Sequence, residues 1–358
     1  MKYLEKLVAI KSNENCDEII DYIKSELKDK VEEIVVAGIT TKVLIIGINT
    51  KLKNITPIVL AGHIDTVSAN VSLYRTNPFL LTETDGKCYG LGSIDMKSFT
   101  AIILDKIQEL KNFNIPIVFA LTTDEETKLK SVELMTKTFD ELNIKPKFTI
   151  LGEPTKSEFN LSSNACYEYC VKFFGIACHS SKIKEGVNAI CAMAKVISFI
   201  ELNQAKYKLT SNCGVAKGGE VVNKVPDYAE INFDIRSTSP EDVNKFIFDI
   251  EKYLSKLKQE YIGLSIEIVK LLAIPAFNML DNNKIKAIAK ELNIKIDSFC
   301  GGCEAGYYTS FSGDAVIFGV GDLSLAHKPN EYVVKSEYYD YSNKLISLLE
   351  CIKKYYFD

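Results

Sequence analysis

Residues 56–67 read TPIVLAGHIDTV, a short apolar run that ends in a histidine and an aspartate. Branched apolar residues favour β-strands, so the stretch predicts a buried strand with His63 and Asp65 at its carboxyl end. The two side chains are two residues apart and therefore lie on the same side of an extended chain. Alone, a His-x-Asp pair at a strand end is more often a structural contact than a catalytic one. Because the chain has only three histidines, the other motifs must decide between these interpretations.

The composition is that of a large, folded and slightly acidic chain. Its 358 residues are 47% hydrophobic and 25% charged, with a formal net charge of −4. This length exceeds what one hydrophobic core usually supports, which predicts two domains. The charge disfavours nucleic acid and anionic membranes as partners, and no apolar run is long enough to span a membrane. Ten scattered cysteines and the lack of a secretory signal predict a reduced, cytoplasmic protein.

The order of helix and strand patterns predicts how the two domains are arranged. Apolar strands alternate with helical patterns through residues 1–162 and again through 274–358. This alternation predicts an α/β domain with a mostly parallel sheet covered by helices on both faces. Residues 163–273 instead follow the β-α-β-β-α-β order of a ferredoxin-like fold. We therefore expect one α/β catalytic domain into which a ferredoxin-like α+β domain is inserted.

Polar residues follow several predicted strands of the α/β domain. VFALTT precedes Glu125 and Glu126, FTILG precedes Glu153, and AVIFGVG leads through a loop to His327. Asp95 lies in a Gly-rich turn, YGLGSIDMK, just before a helix. Ligands bind at the carboxyl ends of strands in open α/β sheets, so these side chains are expected to converge. Converging carboxylates would repel one another unless divalent cations compensated them, and imidazoles with carboxylates suit zinc, or less tightly cobalt or manganese.

Five stretches together resemble the M20 peptidase family, the metal-dependent amidohydrolases of the aminoacylase and carboxypeptidase type. They are GHIDTV (62–67), YGLGSIDMKS (89–98), TTDEET (122–127), LGEPT (151–155) and AHKPNEYV (326–333). Each has an ordinary explanation when taken singly, as acidic residues before a helix often form a solvated first turn. Five such stretches in the order found in the family favour membership of that family over five separate explanations. The resemblance implies a zinc-peptidase-like catalytic domain and an inserted lid and dimerisation domain.

The resemblance also implies a set of ligands for two divalent metal ions, with zinc expected and cobalt the alternative. His63 and Glu153 would bind one ion. Glu126 and His327 would bind the other, and Asp95 would bridge the pair. Together these residues predict a dinuclear centre that polarises an amide bond and activates water.

Three further residues would take part in catalysis if the resemblance holds. Glu125 would be the general base that accepts a proton from water at the metal pair and returns it to the leaving amine. Asp65 would orient the His63 imidazole. His179, in the inserted domain, would reach the active site of the partner subunit and stabilise the oxyanion. A homodimer formed through the inserted domain is therefore expected.

The expected substrate is a small N-acyl amino acid. HSSKIKEGVNAI (179–190) and GGCEAGYY (301–308) resemble the family members that deacetylate N-acetyl-L-ornithine in arginine biosynthesis. Arg236 is one of only two arginines, and its planar guanidinium suits bidentate binding of a substrate carboxylate, with Asn223 assisting. The expected reaction therefore yields L-ornithine and acetate. N-succinyl-diaminopimelate, dipeptides and other N-acyl amino acids are the alternatives.

Overall fold

The computed structural model describes residues 1–311 and 313–358, and the chain divides into two compact units. Unit 1 comprises Met1–Ser163 and Asn278–Asp358, and unit 2 comprises Asn164–Phe277. The sequence predicts 163–273 for the inserted domain. The second boundary lies later in the structure because the last strand of unit 2 continues to Ile274 and a short connection follows it.

Helices and strands follow one another along most of the chain. The α-helices are α1 (Lys2–Ala9), α2 (Asp17–Leu27), α3 (Lys97–Lys111), α4 (Lys130–Leu142), α5 (Ala189–Asn203), α6 (Pro240–Glu260), α7 (Asn283–Glu291), α8 (Ala305–Tyr308) and α9 (Lys335–Tyr356). The strands are β1 (Glu33–Ala37), β2 (Val43–Ile48), β3 (Ile58–His63), β4 (Thr82–Thr84), β5 (Lys87–Tyr89), β6 (Ile117–Thr122), β7 (Phe148–Leu151), β8 (Phe159–Ser163), β9 (Ala165–Phe174), β10 (Leu209–Gly218), β11 (Tyr228–Ser237), β12 (Ser265–Ile274), β13 (Phe277–Asn278), β14 (Ile296–Phe299), β15 (Asp314–Ile317) and β16 (Tyr332–Val334).

Unit 1 is built on a mixed sheet of nine strands within the described part of the chain. The strand order is β1-β2-β6-β3-β7-β15-β8-β13, and β14 also pairs with β8. The centre, β6-β3-β7-β15, is parallel, whereas β2 is antiparallel to both of its neighbours. The α/β class is as the sequence predicts, and the sheet is a mixed one with a parallel centre and antiparallel pairs on either side of it. The short connection between β1 and β2 permits only an antiparallel pair, since parallel strands need a long crossover.

The carboxyl ends of the central strands meet at one edge of the sheet. In the register of the parallel pairs, His63 lies beside Thr122 and Ala61 lies beside Leu151. All six residues of β3 are buried, as are all six of β6. The continuous apolar runs in the sequence therefore correspond to strands covered on both faces. The residues that follow β3, β6 and β7 therefore lie at the same edge of the sheet.

The core of unit 1 holds this edge in position. Helix α3 packs against α1 and α9, while α4 packs on β2 and β6. Phe99 of α3 lies against the ring of Phe119 of β6 at a centroid distance of 6.5 Å. A Cβ atom added at Gly152 would lie 2.2 Å from the Phe99 ring, so only glycine fits at the residue after β7. Helix α3 therefore approaches the end of β7 closely and fixes the start of the loop that carries Glu153.

Unit 2 is an antiparallel sheet with the strand order β10-β11-β9-β12. The chain order β9-α5-β10-β11-α6-β12 is the ferredoxin-like order that the sequence predicts. Alternate residues of β11 are buried, and Ile231, Phe233 and Ile235 belong to one hydrophobic core with Phe246 of α6. Throughout residues 1–311 and 313–358, every helix is too short or too polar to cross a membrane.

Candidate metal centre

His63 is the first element of the site and lies at the carboxyl end of β3. Its side chain is 1% exposed, and its Nε2 atom lies 3.0 Å from Asp95 Oδ1 and 3.9 Å from Glu153 Oε1. One ligand atom from each of the three residues lies within 4.8 Å of the others. The structure therefore brings together one imidazole and two carboxylates, all buried, in the spacing of a metal site.

The other oxygen of Asp95 faces a second histidine. His327 Nε2 lies 3.3 Å from Asp95 Oδ2 and 2.9 Å from Glu126 Oε1. Asp95, Glu126 and His327 form a second group of possible ligands within 4.8 Å. Asp95 is shared between the two groups and directs one oxygen to each histidine. Asp95 could therefore supply one oxygen to each of two cations.

Close backbone packing explains why Asp95 and His63 can lie so near each other. The chain between Gly90 and Asp95 forms a series of turns before α3 begins at Lys97. A Cβ atom added at Gly62 would lie 2.4 Å from the Cε atom of Met96. The glycine before His63 thus lets the segment that carries Asp95 pack directly on the end of β3.

Asp65 has a more extensive set of contacts than the sequence indicates. Its Oδ1 and Oδ2 atoms accept hydrogen bonds from the backbone N–H groups of Glu125, at 3.2 Å, and Glu126, at 3.0 Å. His63 Nδ1 lies 3.1 Å from the Asp65 carbonyl oxygen and 3.5 Å from Asp65 Oδ1. Donation from Nδ1 to these oxygens makes Nε2, which faces Asp95 and Glu153, the nitrogen that could bind a cation. Asp65 therefore contacts His63 and also holds the backbone of the Glu125–Glu126 pair.

Raised pKa values indicate that bound protons offset the negative charge of the carboxylates in this cluster. Burial raises the pKa of Glu153 well above its usual value, and the neighbouring Asp95 carboxylate adds to the effect. Hydrogen bonds to Asp95 and Glu126 raise the pKa of His327 to about 10. Burial alone would lower the pKa of His63, but contacts with Asp65 and Asp95 raise it well above its ordinary value. Divalent cations could replace these protons with no change in the donor set.

An unpartnered oxygen supports the fit of a cation to this cluster. Glu153 Oε1 is buried and has no hydrogen-bond partner among the described residues. A buried carboxylate oxygen without a donor is costly, and a metal ion would satisfy it. A donor set of two imidazoles and three carboxylates suits divalent transition-metal ions. The residues present therefore fit a pair of divalent ions.

Glu125 lies beside the two groups of possible ligands. It is half-buried, and one of its oxygens lies within 4.8 Å of ligand atoms of His63 and Glu126. Burial raises the pKa of Glu125 well above its usual value, and the nearby Glu153 and Glu126 carboxylates add to this, although His63 opposes it. A carboxylate with a raised pKa can accept and return a proton near neutral pH.

The remaining predicted residues belong to unit 2. His179 is exposed, its Nδ1 atom lies 2.8 Å from Ser181 Oγ, and the backbone of Ser180 donates to the Asn223 carbonyl oxygen at 3.0 Å. His179 and Asn223 are therefore brought into neighbouring segments. Arg236 lies on β11, where its Nε donates to Asp234 Oδ2 at 3.0 Å.

Two buried acids near the centre are not identified by the sequence reasoning. Glu304 is fully buried, and burial raises its pKa to about 7, although a contact with Thr122 opposes this shift. Glu331 is 2% exposed, and its carboxylate accepts hydrogen bonds from the segment that carries Asp95. A signal for each exists in the sequence, as both are acidic residues within the family-like stretches GGCEAGYY and AHKPNEYV.

Two histidines joined through a shared carboxylate at the carboxyl edge of an α/β sheet define the class as a metal-dependent hydrolase. The family model described as "Peptidase family M20/M25/M40" matches residues 59–350, and the chain belongs to this family. The resemblance drawn from the five motifs is thus confirmed. As members of the family and its relatives cleave amide bonds, the chain is a hydrolase acting on amide bonds.

The chain is similar to curated proteins named acetylornithine deacetylase. The protein from Buchnera aphidicola subsp. Acyrthosiphon pisum (strain Tuc7) is 31% identical over 295 residues, which are 77% of this chain and 75% of that protein. The one from Photorhabdus laumondii subsp. laumondii is 30% identical over 311 residues, which are 82% of this chain and 78% of that protein.

Solved structures show the same fold at lower sequence identity. A tripeptidase from Staphylococcus aureus has a TM-score of 0.80 at 21% identity and covers 99% of this chain and 97% of its own. A dinuclear metal-binding peptidase of the M20 family from Bacillus subtilis has a TM-score of 0.70 at 14% identity, with 99% and 97% covered. These neighbours support the fold of a catalytic α/β unit with a second, α+β unit.

Proposed function

We propose that the chain hydrolyses the amide bond of an N-acyl amino acid, with N-acetyl-L-ornithine as the first candidate substrate. The observation that carries the proposal is the Asp95 carboxylate, whose two oxygens face His63 and His327 at 3.0 and 3.3 Å. The similarity to proteins named acetylornithine deacetylase, at 31% and 30% identity, supports the choice of acyl group and amine. The products would be L-ornithine and acetate, as in arginine biosynthesis.

The proposed metal ligands follow from the two groups of side chains. His63 and Glu153 would hold one ion, and His327 and Glu126 the other, with Asp95 between them. Zinc is the proposed metal and cobalt the alternative, because both accept imidazole and carboxylate donors. Two such ions would supply Lewis acidity for the substrate carbonyl and would favour ionisation of water.

Glu125 is the proposed general base. Its carboxylate takes a proton from the water whose oxygen attacks the acyl carbon, and it then gives that proton to the amine nitrogen as the C–N bond breaks. Asp65 supports this step because its carboxylate accepts hydrogen bonds from the backbone N–H groups of Glu125 and Glu126. The base and the adjacent ligand are therefore held by one buried carboxylate.

Arg236 and Asn223 are the proposed substrate-binding residues of unit 2. The contact between Arg236 Nε and Asp234 orients the guanidinium and leaves its terminal N–H groups for a substrate carboxylate. His179 would stabilise the oxyanion at the active site of a second copy of the chain. Its Nδ1 atom accepts a hydrogen bond from the backbone N–H of Ser181 at 3.2 Å, which leaves Nε2 as the donor of the neutral imidazole and supports this role.

The proposed homodimer predicts that subunits can complement one another. The His179→Ala enzyme and the Glu125→Gln enzyme should each be nearly inactive alone. After verified subunit exchange in an equal mixture, half of the dimers are hybrids and each hybrid has one complete site, so about a quarter of the wild-type activity per subunit should return. Activity that fails to return after exchange would contradict the role of His179 in the partner's site.

The proposed location is the cytoplasm. The ten cysteines all lie in the described residues, and all are free. Free thiols of this number favour a reducing compartment.

A panel of substrates tests the proposed reaction. The zinc- and cobalt-loaded proteins are assayed against N-acetyl-L-ornithine, N-succinyl-diaminopimelate and several dipeptides, with release of the free amine as the readout. We expect kcat/KM to be at least about tenfold higher for N-acetyl-L-ornithine, a difference of about 1.4 kcal/mol in transition-state binding. Faster turnover of the succinylated substrate or of a dipeptide would replace the proposed substrate with that one.

A further inference from the structure

The Glu331 side chain binds the backbone of the segment that carries Asp95, although the two residues are far apart in the sequence. Its Oε1 atom accepts hydrogen bonds from the backbone N–H groups of Ile94, at 2.7 Å, and Asp95, at 3.2 Å. Its Oε2 atom accepts from the N–H of Gly92 at 3.2 Å, and its carbonyl oxygen accepts from Gly90 at 3.0 Å. Four backbone donors of one short segment are therefore held by a single residue.

The segment from Gly90 to Met96 needs an acceptor from elsewhere. It lies between β5 and α3 and forms turns, so its N–H groups lack the regular partners of a strand or helix. Gly92 has a φ of +77°, and a Cβ atom there would lie 2.9 Å from both Lys97 and Thr66 side-chain atoms. A buried N–H group without an acceptor is costly, which makes the Glu331 carboxylate the partner that this backbone shape requires.

Lys97 is a second buried residue that contacts this turn. Lys97 is 1% exposed and donates from Nζ to the Ile10 carbonyl oxygen at 2.8 Å. Its backbone N–H donates to the Gly92 carbonyl oxygen at 2.8 Å. The same turn is thus bonded to the Glu331 side chain through its N–H groups and to the backbone N–H of Lys97 through the Gly92 carbonyl. Both contacts restrict the position of Asp95.

We propose that Glu331 is a positioning residue that fixes the backbone of Asp95 so that its two carboxylate oxygens face His63 and His327. The part of this inference that concerns metal affinity rests on the proposed dinuclear function. Asp65 acts in the same way on Glu125 and Glu126. Two buried carboxylates thus arrange, through backbone N–H groups, the two segments that supply the bridging ligand, a terminal ligand and the base.

Hydrogen exchange of the metal-free protein tests the contact itself. Glu331→Gln keeps the size of the side chain but turns one acceptor into an NH₂ group that faces backbone donors. We expect the amides of Gly92, Ile94 and Asp95 to exchange at least about tenfold faster, because one acceptor is lost and the remaining amide oxygen is a weaker acceptor than a carboxylate. The amides of Glu125 and Glu126, which Asp65 holds, should keep their wild-type rates. Glu337→Gln, an exposed change on α9, is the matched control and should alter neither segment.

Metal titration tests the consequence for the site. Calorimetry with zinc, and the visible spectrum of the cobalt-loaded protein, should show both ions binding about 10- to 100-fold more weakly to Glu331→Gln than to wild type. Excess metal should restore much of kcat without altering the circular dichroism spectrum, and Glu331→Asp should recover part of the affinity. A purely structural defect would not respond to metal in this way.

The outcomes separate this inference from the proposed function. Unchanged exchange at residues 92–95, or unchanged metal affinity in Glu331→Gln, would overturn the positioning role. Loss of the folded state in both Glu331→Gln and Glu331→Asp would also overturn it, because Glu331 would then support the whole unit rather than one segment. A wild-type protein that binds fewer than two ions would contradict the proposed function, while the exchange result would still decide the role of Glu331.

Discussion

The two histidines on either side of Asp95 have very different surroundings. His63 ends a central strand, its side chain is 1% exposed, and its Nδ1 atom is held by Asp65. His327 lies in a loop after β15, has a φ of +59°, and its side chain is 54% exposed. The same shared carboxylate therefore joins an enclosed position to an open one. Preorganised ligands lose less freedom on binding, so we expect the His63 position to bind a metal ion more tightly than the His327 position.

Removal of the base should have the largest effect and should leave both positions intact. Glu125→Gln preserves the shape of the side chain but cannot accept the proton from water, so we expect kcat to fall by about 10²- to 10⁴-fold. Metal content, measured by elemental analysis, should remain at the wild-type value. Glu133→Gln, an exposed change on α4, is the control. A normal kcat, or the loss of one ion along with activity, would show that Glu125 is not the base.

Stability of the metal-free protein should separate the two histidines. His63→Ala removes the buried imidazole that lies 3.0 Å from the buried Asp95 carboxylate, and breaking a buried pair in this way costs about 3–5 kcal/mol. His327→Ala removes an exposed partner, for which we expect a loss below about 1 kcal/mol. Denaturant unfolding in the presence of a chelator measures both free energies. Equal losses would remove the distinction between an enclosed and an open position.

A substitution at Asp65 should have a smaller effect on the enclosed, His63 side of the site. Asp65→Asn keeps one oxygen acceptor, while its NH₂ group opposes one of the N–H groups of Glu125 and Glu126. We expect kcat to fall by about 10- to 100-fold, as for other residues that orient metal ligands, with little change in KM. Steady-state kinetics measure the split, and Asp140→Asn on the exposed face of α4 is the control. A rise in KM alone would place Asp65 in substrate binding instead.

Much of this site follows from apolar patterning. The strands β3, β6 and β7 are continuous apolar runs in the sequence, and parallel neighbours place His63, Glu126 and Glu153 at one edge. The pattern does not determine which strands are neighbours, because every buried strand has the same composition. It also cannot indicate the small sheet β16-β5-β4, whose three-residue strands are too short to show a period.

The contacts that arrange the site are less visible in the sequence than its ligands. Glu331 and Asp65 bind backbone N–H groups, and such donors exist at every residue except proline. A sequence therefore shows the acid but not which segment it holds. The unequal exposure of His63 and His327 is also hidden, because it depends on the loop that follows β15 rather than on residue type.

The pH dependence of stability should give the smallest effect and addresses the open position directly. In the metal-free protein the pKa of His327 is raised to about 10 by Asp95 and Glu126, from about 6.5 in an unfolded chain. The stability that the protonated imidazole contributes is therefore fully present below about pH 6.5 and is lost as the pH rises through about 10. We expect the free energy of unfolding to fall more steeply between pH 7 and 10 in the wild type than in His327→Ala, by a small amount because the imidazole is largely in solvent. Saturating zinc should abolish this difference in slope, since a bound ion takes the place of the proton. Identical slopes in the chelated proteins would show that His327 carries no extra proton. Its contacts with Asp95 and Glu126 would then not be ion pairs.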